Sequence, residues 1–268
     1  MTMALQAHLS NPDLTYEIRD GIGWVTFNRP ASRNALTFAM YAGLAAICSR
    51  ANDDRGLRAL VLTGAGDKAF AAGTDIAEFR AFASGDDALA YEGRIDALLT
   101  TIETCRVPTI AAIAGACTGG GAAIAACCDL RVATADARFG FPIARTLGNC
   151  LSVANLARLS ALLGPARVKE MIFTARLLGA EEARSAGLFC EVVPDHAGLI
   201  ERADALARIV ASHAPLTLQA TKEGLRRAAM VSGQDPGSDL ILMCYTSADF
   251  REGMESFLAK RPPVWQGT

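Results

Sequence analysis

Apolar and polar residues alternate along Leu14–Ile18 and again along Ile22–Phe27, with Arg19-Asp20-Gly21 between the two runs. A period of two marks half-buried strands, and Asp-Gly between such runs marks a tight turn, so a hairpin is predicted. Asn34–Ala51 changes to helical periodicity, and Ala59–Thr63 is a short apolar strand that ends at Gly64-Ala65-Gly66. Asp87–Cys105 is helical again. Thr109–Ile113 reads as a second buried strand, Gly120–Cys127 as a helix and Leu130–Ala133 as a third strand. Strands that alternate with helices at this spacing imply parallel crossovers and an α/β core.

Beyond residue 150 the strand signal almost stops. Val153–Leu163, Ala166–Phe173, Ala180–Ala186, Leu199–Ser212, Leu216–Met230, Gly237–Asp249 and Arg251–Ala259 all carry helical spacing, and Cys190–Val193 is the one short strand among them. No Pro/Gly-rich linker divides the chain. One domain is therefore expected, with residues 1–195 as the core and residues 196–268 as a helical region whose apolar faces suit contacts between subunits.

Composition narrows the function classes. Of 268 residues, 51% are hydrophobic and 20% are charged, which describes a globular chain. The net charge of −2 is spread over both signs, so neither a nucleic-acid surface nor an anionic-membrane surface is expected. Three histidines, His8, His196 and His213, lie far apart with no neighbour to complete a metal site, so no metal is expected. The eight cysteines follow no framework spacing and most have apolar neighbours, which favours buried thiols in a reducing compartment. Met1–Asp20 shows no basic segment and no long apolar run, so no secretory signal is read there and a cytoplasmic location is expected. Val107–Cys128 carries no charge and contains Gly115 and Gly119 at the spacing of a helix-pairing motif. Pro108 and the glycine triplet break this run, so a buried strand, a loop and a buried helix account for it better than a membrane span.

Two loops carry the candidate chemistry. Thr118-Gly119-Gly120-Gly121 opens the apolar helix Gly120–Cys127. The first amides of a helix lack internal partners and sit at the positive end of its dipole, and glycine lets another group approach the backbone. That suits an oxyanion, although a tight packed connection explains the triplet equally well. The other loop, Gly64–Asp75, follows the strand Ala59–Thr63 and is rich in small residues, with Lys68 placed to meet a phosphate. It has neither the Walker A spacing nor the dinucleotide fingerprint.

Taken together, Lys68-Ala69-Phe70-Ala71-Ala72-Gly73-Thr74-Asp75-Ile76, the triplet at Gly119, Cys128-Asp129-Leu130-Arg131 and Phe139-Gly140 resemble the crotonase (enoyl-CoA hydratase/isomerase) superfamily. Asn28-Arg29-Pro30, Asn34-Ala35-Leu36, Gly179–Ala183, Ala186-Gly187-Leu188, Glu252-Gly253-Met254 and Phe257–Arg261 match further motifs, so the resemblance covers roughly residues 14–264. It implies an α/β spiral of ββα units with a helical C-terminal trimerisation region, assembled as trimers or dimers of trimers. It implies an acyl-CoA substrate, with no cofactor beyond the coenzyme A of that substrate. By position, the amides of Thr74 and Gly120 would hold the thioester oxygen and stabilise an enolate. Ala35, Lys68, Ala72, Asp75 and Ile76 would lie near the CoA moiety, and Lys260 would reach a CoA phosphate, from a neighbouring subunit if not its own.

The chain departs from the family where protons move. Hydratases carry one glutamate two residues after the triplet and another after the proline that follows Phe-Gly. Here those positions are Ala123 and Ile143, or Ala144 if the one-residue difference in length is placed before it. Adding water to a double bond requires an acid and a base, which these side chains are not. Arg145, Thr146, Asn149 and Cys150 are the polar groups nearby. In the dehalogenase branch of the superfamily a nucleophilic aspartate falls where Cys150 stands, and a histidine base falls where Asp96 stands. Cys150 is thus a candidate nucleophile or a packed thiol. Asp96 is a candidate base or part of a solvated helix face. Arg145 is a candidate for a substrate carboxylate or for a protein acid. The expected activity is isomerase, decarboxylase, lyase or hydrolase chemistry on an acyl-CoA ester, with a non-catalytic acyl-CoA-binding protein as the alternative.

Overall fold

The computed structural model describes residues 11–229, 242 and 244–264. The hairpin forms as β1 (Leu14–Arg19) and β2 (Ile22–Phe27), paired antiparallel around Asp20 and Gly21, both at positive φ. Helix α1 runs Phe38–Asp53, later than the periodicity at Asn34 predicts. Asn34 has left-handed φ and is buried, and its Nδ2 donates to Ala69 O at 2.7 Å. The helix starts only where Thr37 caps it by accepting from Met40 N. Helix α2 runs Gly85–Glu103, opened by a capping box between Ser84 and Asp87.

Each of three consecutive units then sends one strand to each of two sheets. β3 (Ala59–Gly64), β5 (Thr109–Ile113) and β7 (Leu130–Thr134) enter a six-stranded sheet of order β1-β2-β3-β5-β7-β10, where β10 is Glu191–Val193. β4 (Ala69–Ala71), β6 (Ala116–Thr118) and β8 (Arg138–Gly140) enter a four-stranded sheet of order β4-β6-β8-β9, where β9 is Leu178–Gly179. Pairing is parallel except for β1 with β2 and β8 with β9. Helix α3 (Gly120–Cys127) follows β6, and α4 (Ile143–Thr146) follows β8. This is the spiral of ββα units that the resemblance implies. The second sheet was not foreseen, because its strands are only two or three residues long.

The main core lies between the sheets and is closed by α1, α2 and α3, with Phe27, Met40, Leu62, Phe70, Ile113 and Phe139 fully buried in it. The outer face of the six-stranded sheet is covered by α8 (His196–Ser212), which follows α5 (Val153–Leu163), α6 (Pro165–Phe173) and α7 (Ala180–Ser185). Leu199, Ala203 and Ala207 pack there on Trp24, Val61, Ile110 and Val132. A helix expected in a region of subunit contacts thus completes the core of its own chain. Helix α9 (Pro215–Ala229) is tied to the sheet by Lys222, whose Nζ lies 2.7 Å from Asp129 Oδ2. Helix α10 (Ala248–Leu258) packs on the 3-10 helix Ile76–Ala81 and on α4. Met230 and, within the expected helix Gly237–Asp249, residues 237–241 and 243 lie outside the described residues, as do Met1–Ser10.

All eight cysteines are free and five are buried. Val107–Cys128 folds as β5, β6 and α3, and among the described residues no helix is long and apolar enough to cross a membrane.

Candidate functional site

The site grows out of one strand pair. β4 and β6 run parallel, with Ala71 opposite Cys117, and each ends in a glycine-containing loop on the same side. A side chain at Gly119, where φ is 53°, would put its Cβ 3.3 Å from Gly73 Cα. One at Gly121 would lie 2.3 Å from Ala71 O. Glycine is needed because the two backbones touch.

The first loop is pinned by the segment before α1. Leu36 N donates to Gly73 O and Asp75 N donates to Leu36 O, both at 2.8 Å. This alternate pairing turns the intervening Thr74 amide away from Leu36. On the second loop, Gly119 N donates to Gly140 O at 3.0 Å, and Gly120 is the first residue of α3. Among the described residues, neither Thr74 N nor Gly120 N donates a hydrogen bond. The arrangement brings two unpaired donors to adjoining loops, one of them at a helix N-terminus.

Three hydroxyls line this place. Thr74 Oγ1 is 2.8 Å from Tyr41 Oη and 3.0 Å from Tyr91 Oη. A Cβ on Gly120 would fall 1.9 Å from Tyr41 Oη, so the phenol rests against the glycine backbone. Burial pushes both phenols above their ordinary pKa, so they remain protonated donors.

Beside Tyr91 lies Glu92, only 5% exposed. Tyr245 donates to Glu92 Oε1, and Asn149 Nδ2 donates to Tyr245 Oη at 3.1 Å. Asn149 Oδ1 is buried with no partner among the described residues. Burial, reinforced by the negative charge of Asp96, pushes the Glu92 carboxyl up to about 7, against the lowering effect of the Tyr245 hydrogen bond. Phe79, Phe82, Tyr91, Tyr245 and Phe250 pack ring against ring, and Phe38 packs on Tyr91.

Ala123 on α3 and Ile143 at the start of α4 are both buried in the main core, and Ala144 is exposed. None of these residues carries a proton. Asp96 is half-buried: it accepts from Ser152 Oγ at 2.8 Å and lies 3.6 Å from Arg158, so it anchors the start of α5 while its side chain stays 31% exposed. Cys150 is half-buried beside Cys244. The hydrogen bond between the thiols and burial both push Cys150 up, so it is not poised as a thiolate. Arg145 is exposed at the surface of α4.

Ala35 and Ala72 meet the Thr74 loop: Ala72 N donates to Arg33 O, and Arg29 Nη1 donates to Ala35 O at 2.8 Å. The same Arg29 nitrogen is 2.9 Å from Asp75 Oδ2, and Asp75 also caps the 3-10 helix Ile76–Ala81, in which Ile76 is buried. The Lys68 side chain is 81% exposed near the start of β4. Lys260 is exposed just beyond α10, in a left-handed conformation.

Four residues absent from the sequence expectations now stand out: Tyr41, Tyr91, Glu92 and Tyr245. A readable signal existed for one of them. The buried stripe of α2 is Ala88, Tyr91, Glu92, Ile95, Leu98, Leu99 and Ile102. A carboxyl on an apolar stripe is either neutralised or partnered.

A two-sheet ββα spiral with two free amides where adjacent strands end defines a protein of the crotonase fold. The chain belongs to the enoyl-CoA hydratase/isomerase family, whose model matches residues 17–268. It is 33% identical over 254 residues to a mevalonyl-coenzyme A hydratase of Beauveria bassiana, covering 90% of each chain. It is 34% identical over 246 residues to a 2,3-dehydroadipyl-CoA hydratase of Escherichia coli, covering 91% of this chain and 94% of that one. Among solved structures, a methylmalonyl-CoA decarboxylase in complex with 2-nitronate-propionyl-CoA superposes with a TM-score of 0.85 at 26% identity, covering 95% of this chain and 98% of that one.

Proposed function

We propose that the chain binds an acyl-CoA thioester with its carbonyl oxygen between Thr74 N and Gly120 N, and that it turns the ester over through an enolate. The observation that carries this reading is the contact of the Gly73 and Gly119 backbones, which sets two unpaired amides on adjoining loops. Donors fixed in advance at a developing oxyanion lower the barrier because they need no reorganisation during reaction. Ala35, Ala72 and Ile76 would border the CoA moiety, with Lys68 at the exposed edge for a phosphate. Asp75, held by Arg29, would support the loop, and Lys260 would meet a phosphate from its own or a neighbouring subunit. We further propose a trimer or a dimer of trimers.

Ala123 and Ile143 disfavour the hydration named for the two relatives above. Isomerisation, decarboxylation, carbon–carbon cleavage or thioester hydrolysis each require the same oxyanion and a different proton inventory. The decarboxylase likeness keeps such chemistry within reach of this fold. The two lost glutamates also favour a second reading, a binding protein without turnover.

Incubation with crotonyl-CoA and with 3-enoyl, dicarboxylyl and aromatic acyl-CoA esters, followed by mass spectrometry, tests these readings. The expected result is a changed ester other than hydrated crotonyl-CoA. Tight binding with every ester unchanged would favour the second reading. Rapid water addition to crotonyl-CoA would overturn the exclusion of hydration.

A further inference from the structure

The family resemblance leaves the chain without a proton-carrying side chain at either hydratase position. The geometry points to Glu92 as the group that fills this role: a buried carboxyl on α2 that exchanges a proton with the acyl chain of the bound ester. This inference rests on the acyl-CoA reading above and adds the acid/base residue to it.

Three observations converge on Glu92. First, its place: Tyr91, the preceding residue on the same helix, hydrogen-bonds Thr74 Oγ1, and Thr74 Oγ1 in turn meets the Tyr41 hydroxyl against Gly120. The carboxyl is therefore carried by the same turn of helix that touches the oxyanion loops. Second, its partners are incomplete. Tyr245 supplies one hydrogen bond to Oε1, and no described residue donates to Oε2. A buried carboxylate held only for structure is normally given more donors, whereas one that must take and give a proton keeps an oxygen open. Third, a polar relay stands behind it, with Asn149 supporting Tyr245 and its own Oδ1 left without a partner.

The surroundings set its working range. The titratable or charged groups facing Glu92 are Asp96 and Tyr91 on its own helix, Tyr41 on α1, Cys150 before α5, and Tyr245 before α10. No cation acts on it from among these. Burial and Asp96 both favour the protonated form, and the carboxyl titrates near neutrality, where a side chain can serve as base and then as acid.

The step balances without a further reactant. Glu92 Oε2 takes the α-proton of the thioester. The C–H pair becomes the carbon–carbon π bond, and the carbonyl π pair moves onto the oxygen between Thr74 N and Gly120 N. Return of a proton from Glu92 to the α-carbon restores the ester, and delivery to the γ-carbon of an enoyl ester gives its isomer.

Exchange isolates this step from whatever product the enzyme makes. The native enzyme is incubated in D2O with butyryl-CoA and with phenylacetyl-CoA, and α-deuteration is read by mass spectrometry while binding is measured separately by calorimetry. The expected result is α-exchange that falls as pH is lowered through about 7. Glu92→Gln should keep ester binding and lose roughly 10²-fold or more of the exchange rate. Tyr245→Phe removes a hydrogen bond that favours the ionised carboxyl, so it should move the midpoint to higher pH. A folded Glu92→Gln variant that binds ester and exchanges at the native rate overturns the assignment, as does a native enzyme that binds ester without exchange. A native enzyme that binds neither ester removes the acyl-CoA reading itself, and the assignment falls with it.

Discussion

At the scale of single residues, Glu92 makes a prediction that is independent of turnover. Its carboxyl titrates at about 7 in the folded chain and at 4.5 in the unfolded one. Between those values the folded state binds more protons, so stability falls as pH rises. The loss is complete above about 7 and amounts to roughly 3 kcal/mol across the window. Glu92→Gln should flatten this part of the stability profile, measured by urea unfolding at pH 4.5 and pH 8. Gly120 gives a second prediction. A methyl group there would meet Tyr41 Oη at 1.9 Å and Thr74 Oγ1 at 3.2 Å. Gly120→Ala should displace both hydroxyls and lower turnover of any active ester about 10²-fold, since shifts of an ångström in a site cost that much. The glycines and Thr74 were legible in the sequence because a glycine triplet and a small-residue loop are local patterns. Glu92 is readable only as a carboxyl on the apolar stripe of α2, because its hydrogen-bond partner Tyr245 lies far along the chain.

At the scale of elements, the strands of the large sheet and most helices were readable from periodicity, since each is a long run with one buried face. β4, β6, β8 and β9 were missed. Two or three residues contain no period, and Ala69–Ala71 and Ala116–Thr118 are held as strands by pairing with each other rather than by local preference. That pairing creates the candidate site, so its framework was the least visible part of the fold. The start of α1 was misplaced for a different reason: Asn34 fits a helical pattern, yet its side chain bonds Ala65 O and Ala69 O. The junction of α10 with α4 also depends on close approach. A Cβ on Gly253 would lie 2.5 Å from Leu147 O. Gly253→Val should destabilise the chain by about 1–3 kcal/mol through overpacking, read as a lower midpoint in thermal or urea unfolding.

At the scale of the whole molecule, the helical C-terminal part divides into two. α8 is spent on the chain's own sheet, whereas α9 leaves Leu216 76% and Leu225 69% exposed. Apolar side chains left in water on one helix favour contact with another copy. Light scattering should report a trimer or hexamer, and Leu216→Asp with Leu225→Asp should shift it toward monomer while leaving the circular dichroism spectrum unchanged. A monomeric native protein would refute that assembly. The adjoining main-chain amides at positions 74 and 120 have one more consequence, which concerns heredity. Almost every codon change at position 74 rewrites the side chain but leaves an N–H in place, and only proline deletes the donor. The donor proposed at position 74 is thus shielded from most misspellings of the gene, a protection that Gly120, crowded by the Tyr41 hydroxyl, does not share. The proton carrier we propose, Glu92, is a side chain and is open to revision, so a lineage could exchange one reaction for another without first forgetting how to hold its ligand.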